Sequence, residues 1–145
     1  MSKYIQSIVI VCLIFAQIGE SRHFASKKVA GKGIMTWYSY DDNNSNVGSF
    51  DNKLIPFKSV AMTRKNGEPK LKQKLFIPKL KGFPMGGGNV HDGWVRVDDE
   101  CLGGGCRFLD MYVGSNKQRD SYRRWMKAKH RTDPDQLPII AYTSV

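Results

Sequence analysis

Two aspartates near the middle of the chain have the setting of a catalytic carboxylate pair. Asp99 ends the alternating segment Trp94-Val-Arg-Val-Asp-Asp, and Asp110 follows inside the apolar run Phe108 to Val113. Alternation with a period of two is typical of a strand with one face on a core. An acidic residue in an apolar strand is costly unless it is paired, hydrogen-bonded or used. The segment therefore predicts two short strands, each with a carboxylate suited to acid–base chemistry.

Strict alternation places Asp99 on the same face as Val95 and Val97. At the end of an apolar stripe a carboxylate is partly desolvated, which disfavours its ionised form, as an acid catalyst at neutral pH requires. In the alternative role, Asp99 accepts hydrogen bonds from backbone N–H groups and holds the loop that follows, because buried polar groups usually find partners. The spacing leaves both roles open.

The loop between the two strands carries a cysteine at each end. Cys101 and Cys106 enclose Leu102 and three glycines. A loop this flexible can bring the two sulfurs into disulfide geometry. The resulting bridge would fix Asp99 relative to Asp110.

The same segment resembles the signature of the six-stranded double-psi β-barrels, and most closely the three-aspartate domain of membrane-bound lytic transglycosylase A and its relatives. The matching positions are Asp99, Gly103 to Gly105, Leu109, Asp110, Met111, Tyr112 and Gly114. Expansins, family-45 endoglucanases and rare-lipoprotein-A-like proteins share this barrel and an equivalent acidic pair. The resemblance covers roughly Gly33 to Val145 and implies an all-β fold, a six-stranded double-psi β-barrel with one short C-terminal helix.

The resemblance also implies residue roles. In lytic transglycosylases of this family a carboxylic acid protonates the glycosidic oxygen and then assists attack by the sugar's own 6-hydroxyl. The matching acid/base here is Asp110, with Asp99 positioning it and disfavouring its ionisation by like-charge proximity. Thr63 stands where the family carries its first aspartate, and a threonine cannot hold a charge. If a water lay between the two carboxylates, the pair would instead support inverting hydrolysis.

Aromatic residues near these strands are candidates for sugar binding. Trp37 and Tyr38 follow each other in the predicted first strand and point to opposite faces. One of them should pack in the core while the other presents a platform for a sugar ring. We expect Trp94 and Tyr112 to contribute to the same binding surface.

The first residues resemble a secretory signal. Residues 1–21 combine Lys3, the apolar stretch Ile5 to Ile18 and small residues at a plausible cleavage site. An uncleaved N-terminal anchor is the alternative, although the apolar stretch is short for a stable membrane span. Cleavage would remove Cys12 and leave an even number of cysteines, which suits an oxidising compartment. We expect a secreted protein with a basic leader over residues 22–32 and a single, monomeric barrel domain over residues 33–145.

The formal net charge of +10 indicates an anionic polymer as partner. Lysines that serve only for solubility are the alternative. In the predicted strand Lys70 to Pro78, alternating lysines either protect a sheet edge or form a positive stripe along a groove. No nucleic-acid-binding module is recognisable, so nucleic acid is not expected as a partner.

No cofactor or metal is expected. With the cysteines oxidised, His91 and His130 alone do not make a zinc ligand set. His91 precedes the key strand and is either a second proton-transfer group or a structural residue.

One helix and a closing strand are predicted after Gly114. Ser115 and Gln118 form a capping box, and an apolar stripe of Tyr122, Trp125 and Met126 faces the barrel. The segment from Leu137 to Val145 supplies the last strand.

Three functions remain open on the sequence. The first is lytic transglycosylase-like or hydrolytic cleavage of a cell-wall polysaccharide, with peptidoglycan favoured only through the resemblance. The second is a non-catalytic expansin-like protein that binds or loosens a wall; the missing first aspartate and the positive charge favour it. The third is a secreted effector that uses the barrel as a scaffold.

Overall fold

A computed structural model describes residues 27–63, 69–101, 106–131, 133 and 135–144. The predicted signal segment 1–21, the first part of the basic leader and the loop glycines 103–105 lie outside the described residues.

The described residues form eight strands, two α-helices and one 3₁₀ helix. The strands are β1 (Lys27–Tyr38), β2 (Ser59–Met62), β3 (Lys74–Phe76), β4 (Pro84–Gly86), β5 (Asn89–Val90), β6 (Trp94–Glu100), β7 (Leu109–Tyr112) and β8 (Leu137–Ser144). The helices are the single turn α1 (Tyr40–Asn43), α2 (Asn116–His130) and the 3₁₀ helix Pro78–Leu80.

Six of these strands close a barrel in the order β1-β7-β2-β6-β3-β8. The pairs β1–β7 and β2–β6 are parallel, and the other neighbours are antiparallel. Strands β4 and β5 form a separate hairpin. The prediction of an all-β fold with a closed six-stranded barrel and one short helix near the C-terminus is confirmed.

All six strands contribute apolar side chains to the barrel interior. Its buried residues include Met35, Val60, Met62, Leu75, Val95, Val97, Leu109, Met111, Leu137, Ile139 and Ala141. Because successive strand residues alternate between faces, their neighbours face outward. The candidate site lies on that outer face.

Helix α2 covers one end of this core. Its N-cap, Ser115, accepts a hydrogen bond from the backbone of Gln118, whose side chain accepts one from the Ser115 backbone, so the predicted capping box is present. Tyr122 and Met126 are fully buried, and Trp125 is partly buried against the same cluster. The helix ends at His130, where Arg131 adopts a left-handed conformation.

The first strand begins at Lys27, whereas the sequence predicted a basic leader as far as residue 32 and a strand from Gly33. The reason is a long-range pairing, because Lys27 lies opposite Ser144 at the start of the β1–β8 ladder. The ring of Phe108 lies across this part of β1. A Cβ atom on Gly31 would come within 2.5 Å of Cζ of Phe108, so the glycine permits the close approach.

Candidate functional site

A β-bulge in β6 determines where the first aspartate points. Val60 of β2 lies opposite Val97, but the next residue, Ala61, lies opposite Asp99, so Asp98 is the extra residue. Val97 is buried in the barrel core, and the bulge carries Asp99 to the opposite, outer face. The prediction that Asp99 shares the face of Val95 and Val97 is therefore wrong.

Ala61 lies between the two carboxylates. It is in register with Asp99 on β6 and with Asp110 on β7, the two strands that flank β2. Side chains opposite each other in a ladder share a face of the sheet. The fold therefore places Asp99 and Asp110 on the same outer face, with only a methyl group projecting between them.

Asp99 accepts hydrogen bonds on both carboxylate oxygens. Its Oδ1 accepts from the backbone N–H of Ser49 (2.7 Å), the Ser49 hydroxyl (2.6 Å) and the backbone N–H of Glu100 (2.9 Å). Its Oδ2 accepts from the phenol of Tyr38 at 2.9 Å. The two bonds from Ser49 show that Asp99 holds the polar loop that follows β1 against the end of β6.

Asp110 lies in a different electrostatic setting. Burial raises its pKa to about 6, and the negative charges of Asp42 and Asp99 act in the same direction. The hydroxyl of Thr36 donates to Oδ1 of Asp110 at 3.0 Å and opposes part of this shift. A carboxyl group in this state can give a proton near neutral pH and take it back.

Both aspartates open onto one cleft of about 470 Å³, which we call the carboxylate cleft. It is lined by Tyr38, Val47, Gly48, Ser49, Ala61, Asp99, Glu100, Cys101, Cys106 and Asp110. The sulfurs of Cys101 and Cys106 lie at bonding distance, with their Cα atoms 5.8 Å apart. The predicted cysteine bridge therefore forms part of the wall of this cleft.

The four candidate aromatic residues divide between three places. Tyr38 lines the carboxylate cleft, and Tyr112 is buried beside it with its ring centroid 5.4 Å from that of Tyr38. Trp37 packs on the other side of β1, 4.3 Å from the ring of Tyr122 on α2. Trp94 lies in a second cleft at the start of β6. The structure thus brings Tyr38 and Tyr112 to the two aspartates, and Trp37 and Trp94 lie elsewhere.

Two other residues considered in the sequence lie outside the carboxylate cleft. Thr63 directly follows β2, and its buried hydroxyl has no hydrogen-bond partner among the described residues. His91 is buried; its Nε2 contacts the carbonyl of Phe57 at 2.5 Å and its Nδ1 accepts from the backbone of Gly93 at 2.8 Å. Burial lowers the pKa of His91, so the neutral ring serves a structural role.

Within the described residues, no group of three or more histidine, cysteine, aspartate or glutamate side chains is arranged to hold a metal ion. No described helix is both long enough and apolar enough to cross a membrane.

Sequence reasoning did not single out Ser49 or Asp98. Ser49 ends the polar loop that follows β1, and a long polar loop is a signal that it borders a cleft. Asp98 is buried, and it accepts hydrogen bonds from Ser59, Arg96 and Lys72. No sequence signal distinguishes it from Asp99, because the bulge depends on pairing with β2.

No protein-family model, curated protein or solved structure matches this chain.

Proposed function

We propose that this chain is a secreted, glycan-active protein on a double-psi β-barrel, in which Asp110 acts as a general acid and base in lytic transglycosylase-like cleavage of a cell-wall polysaccharide. Support for the barrel type comes from its six strands and its mixture of parallel and antiparallel pairs. Support for the chemistry comes from the pair of outward-facing aspartates beside Ala61.

The observation that carries the proposal is the difference between the two carboxylates. Partial burial raises the pKa of Asp110 to about 6, whereas Asp99 accepts hydrogen bonds from Ser49, Glu100 and Tyr38. A carboxyl group whose pKa is raised toward neutrality is suited to act as the acid. We assign that role to Asp110 and a positioning role to Asp99.

In the proposed reaction Asp110 donates its proton to the glycosidic oxygen as the bond from that oxygen to the anomeric carbon breaks. The leaving chain departs with a new hydroxyl group. The resulting Asp110 carboxylate accepts the proton of the sugar's 6-hydroxyl, whose oxygen bonds to the anomeric carbon and closes an anhydro ring. This second proton transfer leaves Asp110 protonated, as it was at the start, and no water is consumed.

The test is product analysis with the chain lacking residues 1–21. The protein is incubated with purified peptidoglycan, chitin and cellulose, and released sugars are identified by mass spectrometry. Asp110→Asn removes the acid, and Asp120→Asn removes the same charge from an exposed position on α2. Anhydro-ended products from the wild type and Asp120→Asn, but not from Asp110→Asn, would support the proposal. Reducing-end products would point to hydrolysis by the same pair.

A non-catalytic, expansin-like role is favoured by one observation. The hydrogen bonds from Ser49 and Glu100 to Asp99 hold a loop against the end of β6, which is a structural use of the carboxylate. In that case no polymer would release sugar. Wild type and Asp110→Asn would then sediment equally with one of the polymers.

A further inference from the structure

A second cleft of about 510 Å³ opens where β6 begins. We call it the basic cleft; its charged and aromatic lining comes from Lys58, Lys74, Asp92, Trp94, Arg96 and Asp98. Trp94 packs at 5.2 Å on the ring of Phe76, and the ammonium of Lys27 lies 3.6 Å above the centre of that ring. The cleft therefore combines positive charge with a supported aromatic side chain.

Two cations in the basic cleft stand directly opposite each other. Lys74 of β3 is in register with Arg96 of β6. Like charges directly opposite in a ladder are destabilising. Arg96 is balanced by its bond of 2.7 Å to Asp98 and Lys58 by its bond of 2.6 Å to Asp92, whereas Lys74 has no ion-pair partner within the residues that the structure describes. The cleft therefore has one cation in excess, Lys74, which a bound anion would balance.

Strand β3 pairs with β6 over all three of its residues, but with β8 only where Phe76 lies opposite Tyr142. Lys74 is exposed on the outer surface of this strand, opposite Arg96.

We propose that the basic cleft binds the carboxylate of an acidic saccharide, held by Lys74 and Arg96, with Trp94 packed against the sugar ring. A guanidinium and a neighbouring ammonium match a planar carboxylate, and an indole offers wide contact with the apolar face of a pyranose. The proposal extends the proposed function by specifying that the polymer is acidic. It rests on that function only for the identification of the ligand as a saccharide.

The two clefts lie along the same strand. Trp94 and Arg96 face outward near the start of β6, and the bulge brings Asp99 to the outer face at its end. At ~3.3 Å per strand residue, Trp94 and Asp99 are about 16 Å apart along the chain direction. A polymer chain that occupies the basic cleft can extend to the carboxylate cleft.

The test is calorimetric binding of the chain lacking residues 1–21 to polygalacturonate, with neutral dextran and single-stranded poly-dT as comparison polymers. We expect the protein to bind polygalacturonate and not to bind dextran. Lys74→Gln should weaken binding about three- to fivefold, the scale of one exposed ion pair. Trp94→Ala should weaken it about tenfold, the scale of one aromatic stacking contact. Lys74→Gln should also unfold at no lower temperature than wild type, because it relieves the repulsion with Arg96.

Lys117→Gln is the matched control, since Lys117 is an exposed lysine on α2 that lines neither cleft. Equal losses for Lys74→Gln and Lys117→Gln would overturn the proposal in favour of unspecific charge attraction. Tighter binding of poly-dT than of polygalacturonate would overturn it in favour of nucleic acid. Polygalacturonate has no 6-hydroxyl group and cannot undergo the proposed reaction, so Lys74-dependent binding together with no sugar release from peptidoglycan, chitin or cellulose would support the basic cleft while refuting that reaction.

Discussion

The phenol of Tyr38, at the end of β1, donates a hydrogen bond of 2.9 Å to Oδ2 of Asp99, near the end of β6. In the barrel these strands are separated by β7 and β2. The small side chain of Ala61 on β2 leaves the space above the sheet open between them. The hydrogen bond therefore spans the carboxylate cleft and connects strands that do not pair with each other.

Replacing Tyr38 with phenylalanine removes this hydrogen bond and keeps the ring. We expect Tyr38→Phe to lower the free energy of unfolding by about 1 kcal/mol, the usual net value of one such bond. Sugar release should also fall, because Asp99 loses an orienting donor. Urea unfolding and product analysis measure the two effects. Tyr40→Phe is the control, since Tyr40 is 44% exposed; equal effects of both changes would contradict a special role for Tyr38.

The partly buried setting of Asp110 predicts that its contribution to stability falls as pH rises. Burial raises the pKa of Asp110 from 3.8 in the unfolded chain to about 6, so between these values the folded protein binds a proton that the unfolded chain does not. The stabilising contribution is complete below pH 4 and is lost as pH rises through about 6. Asp110→Asn cannot ionise and should be more stable than wild type above pH 7, by up to about 3 kcal/mol.

Urea unfolding of wild type and Asp110→Asn at several pH values between 3.5 and 8 measures this difference. The free energies of unfolding of the two proteins should be equal at the acid end of this range and should differ increasingly as pH rises. The free energy of unfolding of Asp120→Asn should differ from that of wild type by the same amount at every pH. If the free energies of unfolding of wild type and Asp110→Asn differ by an amount that does not depend on pH, the environment of Asp110 does not disfavour its ionisation.

Thr36 adjusts the proton affinity of Asp110. Its hydroxyl donates to Oδ1 at 3.0 Å and lowers the pKa of that carboxyl group. Thr36→Val removes the donor with little change of shape, so the pKa of Asp110 should rise above about 6. Sugar release needs the protonated acid, and its loss at alkaline pH should therefore shift to higher pH in the variant.

The pH dependence of sugar release and the NMR titration of the Asp110 carboxyl carbon both measure this shift. The second measurement does not depend on activity. Thr143→Val is the control, because the Thr143 hydroxyl contacts the carbonyl of Lys28 at 3.5 Å, away from the site. A shift in the opposite direction would mean that the Thr36 hydrogen bond favours the protonated form.

Local patterns in the sequence predicted those parts of the fold that depend on local interactions. The strand Leu109–Tyr112, the strand Leu137–Ser144 and the Ser115 capping box are where composition and spacing indicated. Each of them depends on residues close in sequence, such as a short apolar run or a polar pair three positions apart. The two aspartates were identified as a pair for the same reason.

The parts that the sequence did not predict depend on pairing between distant segments. The early start of β1 follows from its ladder with β8, and the orientation of Asp99 follows from a bulge opposite Ala61. A one-residue shift moves a side chain to the other face of a strand, so alternation cannot locate Asp99 without the partner strand. The approach of Ser49 to Asp99 is likewise a contact between residues far apart in sequence.

The extra residue of the bulge, Asp98, should be the residue of this region on which folding depends most. It is 1% exposed and accepts hydrogen bonds from Ser59 (2.7 Å), Arg96 (2.7 Å) and Lys72 (3.0 Å). Burial by itself raises the pKa of Asp98, but the hydrogen bonds from Arg96, Ser59 and Lys72 outweigh it and hold the pKa below its ordinary value. Stability from this group is therefore present above about pH 4 and lost as pH falls through the lowered pKa.

Asp98→Asn keeps the shape of the side chain but removes the charge that Arg96 and Lys72 contact. We expect the free energy of unfolding at pH 7 to fall by about 2–3 kcal/mol, as for hydrogen bonds to a charged group. The difference from wild type should shrink in acid, where wild-type Asp98 also becomes neutral. Urea unfolding at pH 7 and pH 3 measures both values, with Asp120→Asn as the control for loss of one negative charge. An Asp98→Asn protein as stable as wild type at pH 7 would mean that the contacts with Arg96 and Lys72 only offset the cost of burying the carboxylate.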